Sequence, residues 1–433
     1  MRPLSLIATF CALCACTCVA EPDPANADDT GASDGGAASS EEGPAGSTGS
    51  AETGAADEST GGATEVPPGD RFLDGFFPIG VFGQPAENFE TWVDRGCNTM
   101  FEVPQEHDAG AWDQEAQRLG LRVIRPPLGG GGADIGRTDL LAWSLPDEPD
   151  IDANQSTCGG NCIELCEFLA SEYAAIDPER PVFVNLAGPN VLLESACDFC
   201  NGPGDEPGTA SCFPDNAQCY PRILETADWI SQDIYPVTGW LPNEALREDV
   251  TVPGQTLDKL ASWTDKPLMA IIELSDQRLG FAGTGTRAPS AAEVRAEIWN
   301  AIIHGARGIF YFPQAFDPFE WDAAPSEVIA ELEVQHQTIT ALSDVLQREI
   351  DPDGFGVDVP WPLEASWRQS GDEIYVFMLN TSPQVLDGAP IAFDTAAADT
   401  KVYDEDRDLS IADGAFNDDF PPFGVHIYVL GGD

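Results

Sequence analysis

The stretch AWSLPDEPD, residues 142–150, ends an apolar run (Leu140–Leu145) with two adjacent carboxylates, Asp147 and Glu148, set between Pro146 and Pro149. A solvated charge pair needs no such frame, whereas prolines fix the backbone from which side chains are aimed. A further carboxylate, Glu273, lies at the end of a second apolar run, residues 268–274. Two carboxyl groups facing one another across a cleft supply a proton donor and a nucleophile for displacement at an acetal carbon. One of them has to stay protonated near neutral pH. Burial and a neighbouring negative charge achieve this, and Asp147 is such a charge for Glu148.

Chemistry of this kind needs elements that bring residues 148 and 273 to one place. From Phe76 onward, eight short apolar runs alternate with amphipathic stretches: residues 76–82, 98–103, 121–126, 140–145, 181–186, 228–235, 268–274 and 308–313. Most runs are continuous rather than alternating, the pattern of parallel strands covered on both faces. Helices are expected at NFETWVDRG, AWDQEAQRLG, SAAEVRAEIWNAIIHG and across 326–349. In the third, Ser290 and Glu293 form a capping box and Gly305 follows the last turn. The series predicts the α/β class and a (β/α)8 TIM barrel over residues 71–350. Residues 127–139 are too short for a full third helix. Their GGGG (129–132) is read as a mobile loop, because it lacks the spacing of a phosphate-binding fingerprint. A doubly wound open sheet is the alternative, without a glycine-rich fingerprint after the first strand. From about Gly354, short strands separated by turn residues predict a small all-β sandwich domain over 351–433.

In a barrel the carboxyl ends of the strands line the active site. Those ends bring together Glu102 (strand 2), Arg125 (strand 3), Asp147 and Glu148 (strand 4), Asn185 (strand 5), Asp233 and Tyr235 (strand 6), Glu273 (strand 7) and Gln314 (strand 8). Glu148 and Glu273 are the catalytic candidates, since strands 4 and 7 stand across the ring. The others are substrate-binding candidates, with Arg125 also read as a partner for one of the carboxylates. Trp240 and Trp321, in the loops after strands 6 and 8, offer flat rings at the same face; most of the ten tryptophans are read as core. The bland alternatives are a turn carboxylate at 148, a structural one at 273 and rim packing at 233 and 235. His107, His304, His336 and His426 have no metal-ligand spacing, and no metal or cofactor motif is found.

Together these features resemble the clan A glycoside hydrolases over residues 72–433. The carriers are WSLPDEPD, QDIYPV, KPLMAIIELS, APSAAEVRAEIWNAIIHGARGIFYF and FPPFGVHIYVL. The resemblance implies a retaining hydrolysis of a poly- or oligosaccharide, with Glu148 as acid/base and Glu273 as nucleophile. Tyr235 matches a tyrosine that commonly touches the nucleophile. The chain departs from the clan at Asp147, where most members carry Asn, and barrels with an Asp-Glu-Pro pattern can end strand 7 in Gln. The Asp147–Glu148 pair also resembles the substrate-assisted hexosaminidases, in which the Asp orients an acetamido group, the Glu is the acid and Glu273 has no role. The reading from another class is a non-catalytic carbohydrate-binding surface protein.

The chain has 433 residues, with 20 Lys and Arg against 74 Asp and Glu, a net charge of −54. That balance argues against nucleic acid and anionic lipid as partners. Residues 1–20 read as a signal peptide, with Leu13-Cys14-Ala15-Cys16 resembling a bacterial lipobox and Cys16 as the lipidated residue; a plainly secreted protein is the alternative. Residues 21–70, without Lys or Arg, read as a disordered acidic tether. In an exported chain, Cys158, Cys162, Cys166, Cys197, Cys200, Cys212 and Cys219 are disulfide candidates, with zinc as the alternative; Cys97 is read as a buried free thiol. The expectation is a monomer without cofactor, exported and lipid-anchored to a bacterial membrane, whose membrane contact is the anchor alone.

Overall fold

The computed structural model describes residues 72–151, 162–193, 216–238, 246–278, 287–395 and 397–431, the side chains of 193 and 216–219 excepted. The signal region with Cys16, the tether, Trp240 and the candidates Cys158, Cys197, Cys200 and Cys212 lie outside these residues, as does the side chain of Cys219. Among the described residues no helix is long and apolar enough to cross a membrane.

The eight apolar runs form eight parallel strands: β1 (Ile79–Phe82), β2 (Thr99–Phe101), β3 (Arg122–Ile124), β4 (Leu140–Ser144), β5 (Val182–Ala187), β6 (Trp229–Asp233), β7 (Leu268–Glu273) and β8 (Ala306–Phe312). They pair in chain order, and β8 returns to β1 to close the barrel, with Ile79 beside Ile309 and Gly80 beside both Phe310 and Thr99. Alternate residues separate two apolar layers. Phe101, Ile124, Phe183, Trp229, Met269, Ile271 and Phe310 fill one cluster, while Val81, Val123, Val184, Ile230, Ala270 and Ile272 join the cluster shared with the helices. Gly80 is required here: a Cβ would lie 2.4 Å from Phe310 Cδ1, so the bare backbone makes room for that ring.

The helices are α1 (Phe89–Asp94), α2 (Ala109–Leu119), α3 (Cys162–Ile176), α4 (Gly188–Leu193), α5 (Asn216–Thr226), α6 (Val252–Ala261), α7 (Ala291–Ile303), α8 (Ser326–Ala341) and α9 (Ser343–Leu346). The capping box forms: Ser290 Oγ accepts the Glu293 N–H, and the Glu293 carboxylate accepts the Ser290 N–H. The single helix expected over 326–349 is instead two, broken at Leu342. Beyond the break, Ser343 Oγ donates to Gly75 O, and Gln347 Nε2 donates to the carbonyls of Phe76 and Arg307.

No helix joins β3 to β4. Turns take its place, and a network of five charged side chains holds the segment. Arg125, with 0 % exposure, donates through Nε to Asp113 (2.7 Å) and through Nη1 and Nη2 to Asp134 (2.9 and 2.7 Å), while Arg137 bonds Asp113 and Asp139. Against the pull of burial, Arg125 holds the Asp134 carboxyl below its ordinary value. The expected partnership of Arg125 with a catalytic carboxylate is therefore corrected: its donors are spent inside this network and on Pro126 O. The GGGG segment, expected to be mobile, is a run of turns. Asp134 closes it, donating its N–H to Gly131 O and accepting from Leu128 N–H.

After the barrel, β9 (Ala315–Phe316) pairs with β10 (Phe319–Glu320), and the C-terminal region that follows is antiparallel. One sheet orders β11 (Val357–Asp358), β14 (Leu386–Phe393) and β17 (Ala415–Phe420). The other orders β12 (Leu363–Ser370), β13 (Glu373–Asn380), β18 (Val425–Leu430), β15 (Asp399–Val402) and β16 (Arg407–Ser410). A separate core of Val376, Met378, Ile391, Phe393, Phe416, Phe420 and Tyr428 lies in this region. Helix α7 faces the barrel on one side and β12–β13 on the other. Trp299 stacks on Phe377 (5.8 Å between centroids), Arg295 Nε donates to Phe423 O, and Asn300 Nδ2 donates to Glu364. That two-sided packing buries α7 nearly all round, the side chains of Glu293, Glu297 and Asn300 included. Cys97 is a buried free thiol. Cys162 is disulfide-bonded, whereas Cys166, one turn further along α3, carries a buried thiol and is corrected as a disulfide candidate.

Candidate active site

Strand β4 loses its pairing with β5 after Ser144, where Leu145-Pro146 begins the turn. The turn still follows β5: Leu145 N–H donates to Phe183 O (2.8 Å) and Glu148 N–H to Asn185 O (3.1 Å). Between these bonds the prolines leave little freedom, and Glu148 takes a left-handed backbone at φ 45°. Glu102, at the end of β2, is left-handed too, at φ 65°. A residue with a β-carbon adopts this region only where its surroundings over-determine it, and such positions concentrate at functional sites.

The Glu148 side chain is buried and hydrogen-bonds to Asp233 at the end of β6. Asp233 Oδ2 accepts the Tyr235 hydroxyl (3.1 Å). Asp147 lies alongside, its Oδ1 accepting Asn185 Nδ2 (3.0 Å). Glu102 Oε2 accepts Ser144 Oγ (3.2 Å). Five of the expected site residues are thus gathered around Glu148 at the carboxyl ends of β2, β4, β5 and β6: Glu102, Asp147, Asn185, Asp233 and Tyr235. Burial, reinforced by the Asp147 charge, lifts Asp233 and Glu102 to about 8. Burial lifts Asp147 to about 6, with the Asn185 bond pulling the other way. The Tyr235 phenol is pushed well above its ordinary value by burial and by the charges of Asp233, Glu148 and Asp147. The cluster therefore keeps protons at neutral pH, as general acid catalysis needs.

Glu273 belongs to different surroundings. Its side chain has 0 % exposure, and its two oxygens accept the main-chain N–H groups of Val237 (2.6 Å) and Thr238 (2.7 Å). Burial lifts the Glu273 carboxyl to about 7 against these bonds, with the Glu293 charge on α7 adding to the rise; burial, then the charges of Glu273 and Glu293, raise Glu297 on the same helix. The two amide bonds tie the carboxylate to the segment after β6 and hold it away from solvent. Glu273 is thus engaged by main-chain amides rather than by the cluster around Glu148, and the Tyr235 hydroxyl, expected to touch the nucleophile, donates to Asp233.

Gln314 is 4 % exposed and donates to Phe82 O (2.8 Å), bracing β8 against β1. Trp321 sits half-buried at the rim, edge-on to Phe319 (4.6 Å) and to His107 (5.7 Å), and its carbonyl accepts Gln84 Nε2. The sequence reading missed Ser144, Asp150, Asn190 and Tyr220. Asp150 was within view, as the last letter of PDEPD. Among the described residues no group of three or more His, Cys, Asp and Glu is placed to hold a metal ion.

No protein-family model matches the sequence, and no curated protein does. Solved structures match in fold. An α-amylase from Geobacillus thermoleovorans complexed with acarbose is 10 % identical, with a TM-score of 0.52 over 84 % of this chain and 99 % of that one. A catalytic mutant of a GH42 β-galactosidase from G. stearothermophilus is 8 % identical, with a TM-score of 0.50 over 82 % and 98 %. At these identities the likeness is one of architecture alone: a closed (β/α)8 barrel followed by a C-terminal β-sandwich.

Proposed function

We propose that the protein hydrolyses glycosidic bonds in an oligo- or polysaccharide, with Glu148 as general acid and then base, by the substrate-assisted route. One observation favours this route: Glu273 is fully buried with a main-chain amide on each oxygen, whereas Asp147 lies directly beside Glu148 and is held by Asn185. Glu148, sharing a proton with Asp233, protonates the glycosidic oxygen as the bond to the anomeric carbon breaks. The 2-acetamido oxygen of the substrate forms the new bond to that carbon, giving a cyclic oxazolinium. Asp147, held by Asn185 and ionised above about 6, accepts the acetamido N–H and aligns the amide. Water then attacks the anomeric carbon, Glu148 takes the proton, and the amide is restored with retention of configuration.

Matched aryl glycosides that carry 2-acetamido or 2-hydroxyl groups test this reading on the chain from residue 72 onward. Cleavage confined to the acetamido series supports it, and equal cleavage of both series contradicts the route. Binding without cleavage of either series replaces the enzyme with a carbohydrate-binding protein. We carry forward the export reading as part of the same proposal: lipid attachment at Cys16 holds a monomeric, cofactor-free barrel outside a bacterial cytoplasmic membrane. Labelling by a radioactive fatty acid that is lost in Cys16→Ala is the expected result.

A further inference from the structure

The turn after β4 holds another buried carboxyl that the chemistry above leaves unused. Asp150 is 4 % exposed. Its Oδ1 accepts the Ala187 N–H (3.0 Å), its Oδ2 accepts the Tyr220 hydroxyl (3.1 Å), and its main-chain oxygen accepts Asn190 Nδ2 (3.0 Å). These partners come from the end of β5, from α5 and from α4. Tyr220 is fixed in turn, 3 % exposed and stacked on Trp263 (4.8 Å between centroids, 24° between planes). Two residues before Asp150, Glu148 holds its left-handed backbone. Its own N–H on Asn185 O anchors the near side of the turn, and Asp150 anchors the far side.

We propose that Asp150 is the positioning residue of the site: by pinning the turn to β5, α4 and α5 it keeps Glu148 in its left-handed conformation, with its carboxyl on Asp233. The inference rests on Glu148 being the acid. It also gives α5, which follows the cysteine-rich stretch, a mechanical link to the reacting group through Tyr220. The titratable groups facing Asp150 are Asp147 in the same turn, Tyr220 on α5 and Asp233 on β6; β5 and α4 present the uncharged Ala187 N–H and Asn190. Burial lifts the Asp150 carboxyl to about 7 against the bonds from Ala187 and Tyr220, and its charge in turn raises Asp233.

The test compares Asp150→Ala, Asp150→Asn and Tyr220→Phe. The asparagine keeps both bonds, accepting from Ala187 and donating to the Tyr220 oxygen, but carries no charge. Asp150→Ala is expected to lower kcat by about tenfold or more with KM within about threefold, because a displaced acid fails in the transition state more than in binding. Asp150→Asn is expected to stay within about threefold of wild-type kcat, and Tyr220→Phe to fall between the two. Infrared difference titration of the protonated carboxyl band, which needs no turnover, is expected to show Asp233 titrating at lower pH in Asp150→Asn. A kcat for Asp150→Ala within about twofold of wild type would overturn the proposal. So would equal damage in the alanine and asparagine variants with an unmoved titration. If the alanine variant does not fold, Tyr220→Phe carries the kcat comparison, and wild-type kcat there overturns the proposal. A protein that cleaves no glycoside in any variant would sink the hydrolase reading and this role with it, whereas a cleaving wild type with an undamaged Asp150→Ala overturns the positioning role alone.

Discussion

The Glu148 carboxyl on the turn after β4 is hydrogen-bonded to Asp233 at the end of β6. On the proposed route, one proton held between these two buried acids is the donor at neutral pH. Asp147, directly before Glu148 and held by Asn185, keeps a negative charge beside that pair once it ionises. The arrangement separates the two tasks: one acid is kept protonated and its neighbour is kept able to accept.

A bell-shaped dependence of kcat on pH follows. Asp147 has to be ionised, which sets the acid limb near its value of about 6. The Glu148–Asp233 pair has to keep its proton, which sets the alkaline limb near the Asp233 value of about 8. Asp233→Asn is expected to move the alkaline limb while leaving the acid limb in place, as read from pH–rate profiles on an aryl glycoside.

Stability should fall as pH rises across the same range. Glu102, Asp147, Asp150, Asp233 and Glu273 all have raised values in the folded chain, between about 6 and about 8. The native state therefore binds more protons than the unfolded chain between roughly pH 4 and pH 8, and the slope of unfolding free energy with pH is negative there. The stabilisation is complete below the unfolded carboxylate values and is lost as pH passes each folded value. Melting curves from pH 5 to pH 8.5 should show a decreasing Tm, with a shallower fall in Asp233→Asn.

Removing Arg125 should damage the fold and spare the chemistry. Arg125→Met leaves Asp113 and Asp134 buried with their main partner gone, a change that costs about 3–5 kcal/mol. Denaturant midpoints should drop accordingly, while activity per folded molecule stays within about twofold.

The C-terminal strands should be inseparable from the barrel. A chain ending at residue 350 exposes the face of α7 that Phe377 and Phe423 cover, including Trp299. Such a chain is expected in the insoluble fraction, whereas one ending at residue 431 is soluble.

How much of this was legible in the sequence depended on the range of the interaction. The eight barrel strands were readable because most are continuous apolar runs, and α7 because Ser290 and Glu293 cap it locally. Strand β16, reading RDLS, and β17, reading AFNDDF, went unseen because polar residues dominate both and leave little apolar pattern around the buried Phe416 and Phe420. The position of Glu148 at a strand end was readable from its proline frame. The engagement of Glu273 was not: nothing near residue 273 in the chain announces that the amides of Val237 and Thr238 turn onto it. Arg125 failed for the same reason, since Asp113 and Asp134 meet it only after β3 and α2 have packed.

The assignment of roles to Glu148 and Glu273 is tested most directly by kcat for Glu148→Gln and Glu273→Gln on one 2-acetamido aryl glycoside with a poor leaving group. The glutamine at 148 has no proton to give, and kcat should fall by about a hundredfold or more. The glutamine at 273 can still accept one amide, so it should lose about 1–3 kcal/mol of stability and keep kcat within about threefold at temperatures where it is folded. A folded Glu273→Gln protein as inactive as Glu148→Gln would contradict the account and return Glu273 to the place of the nucleophile.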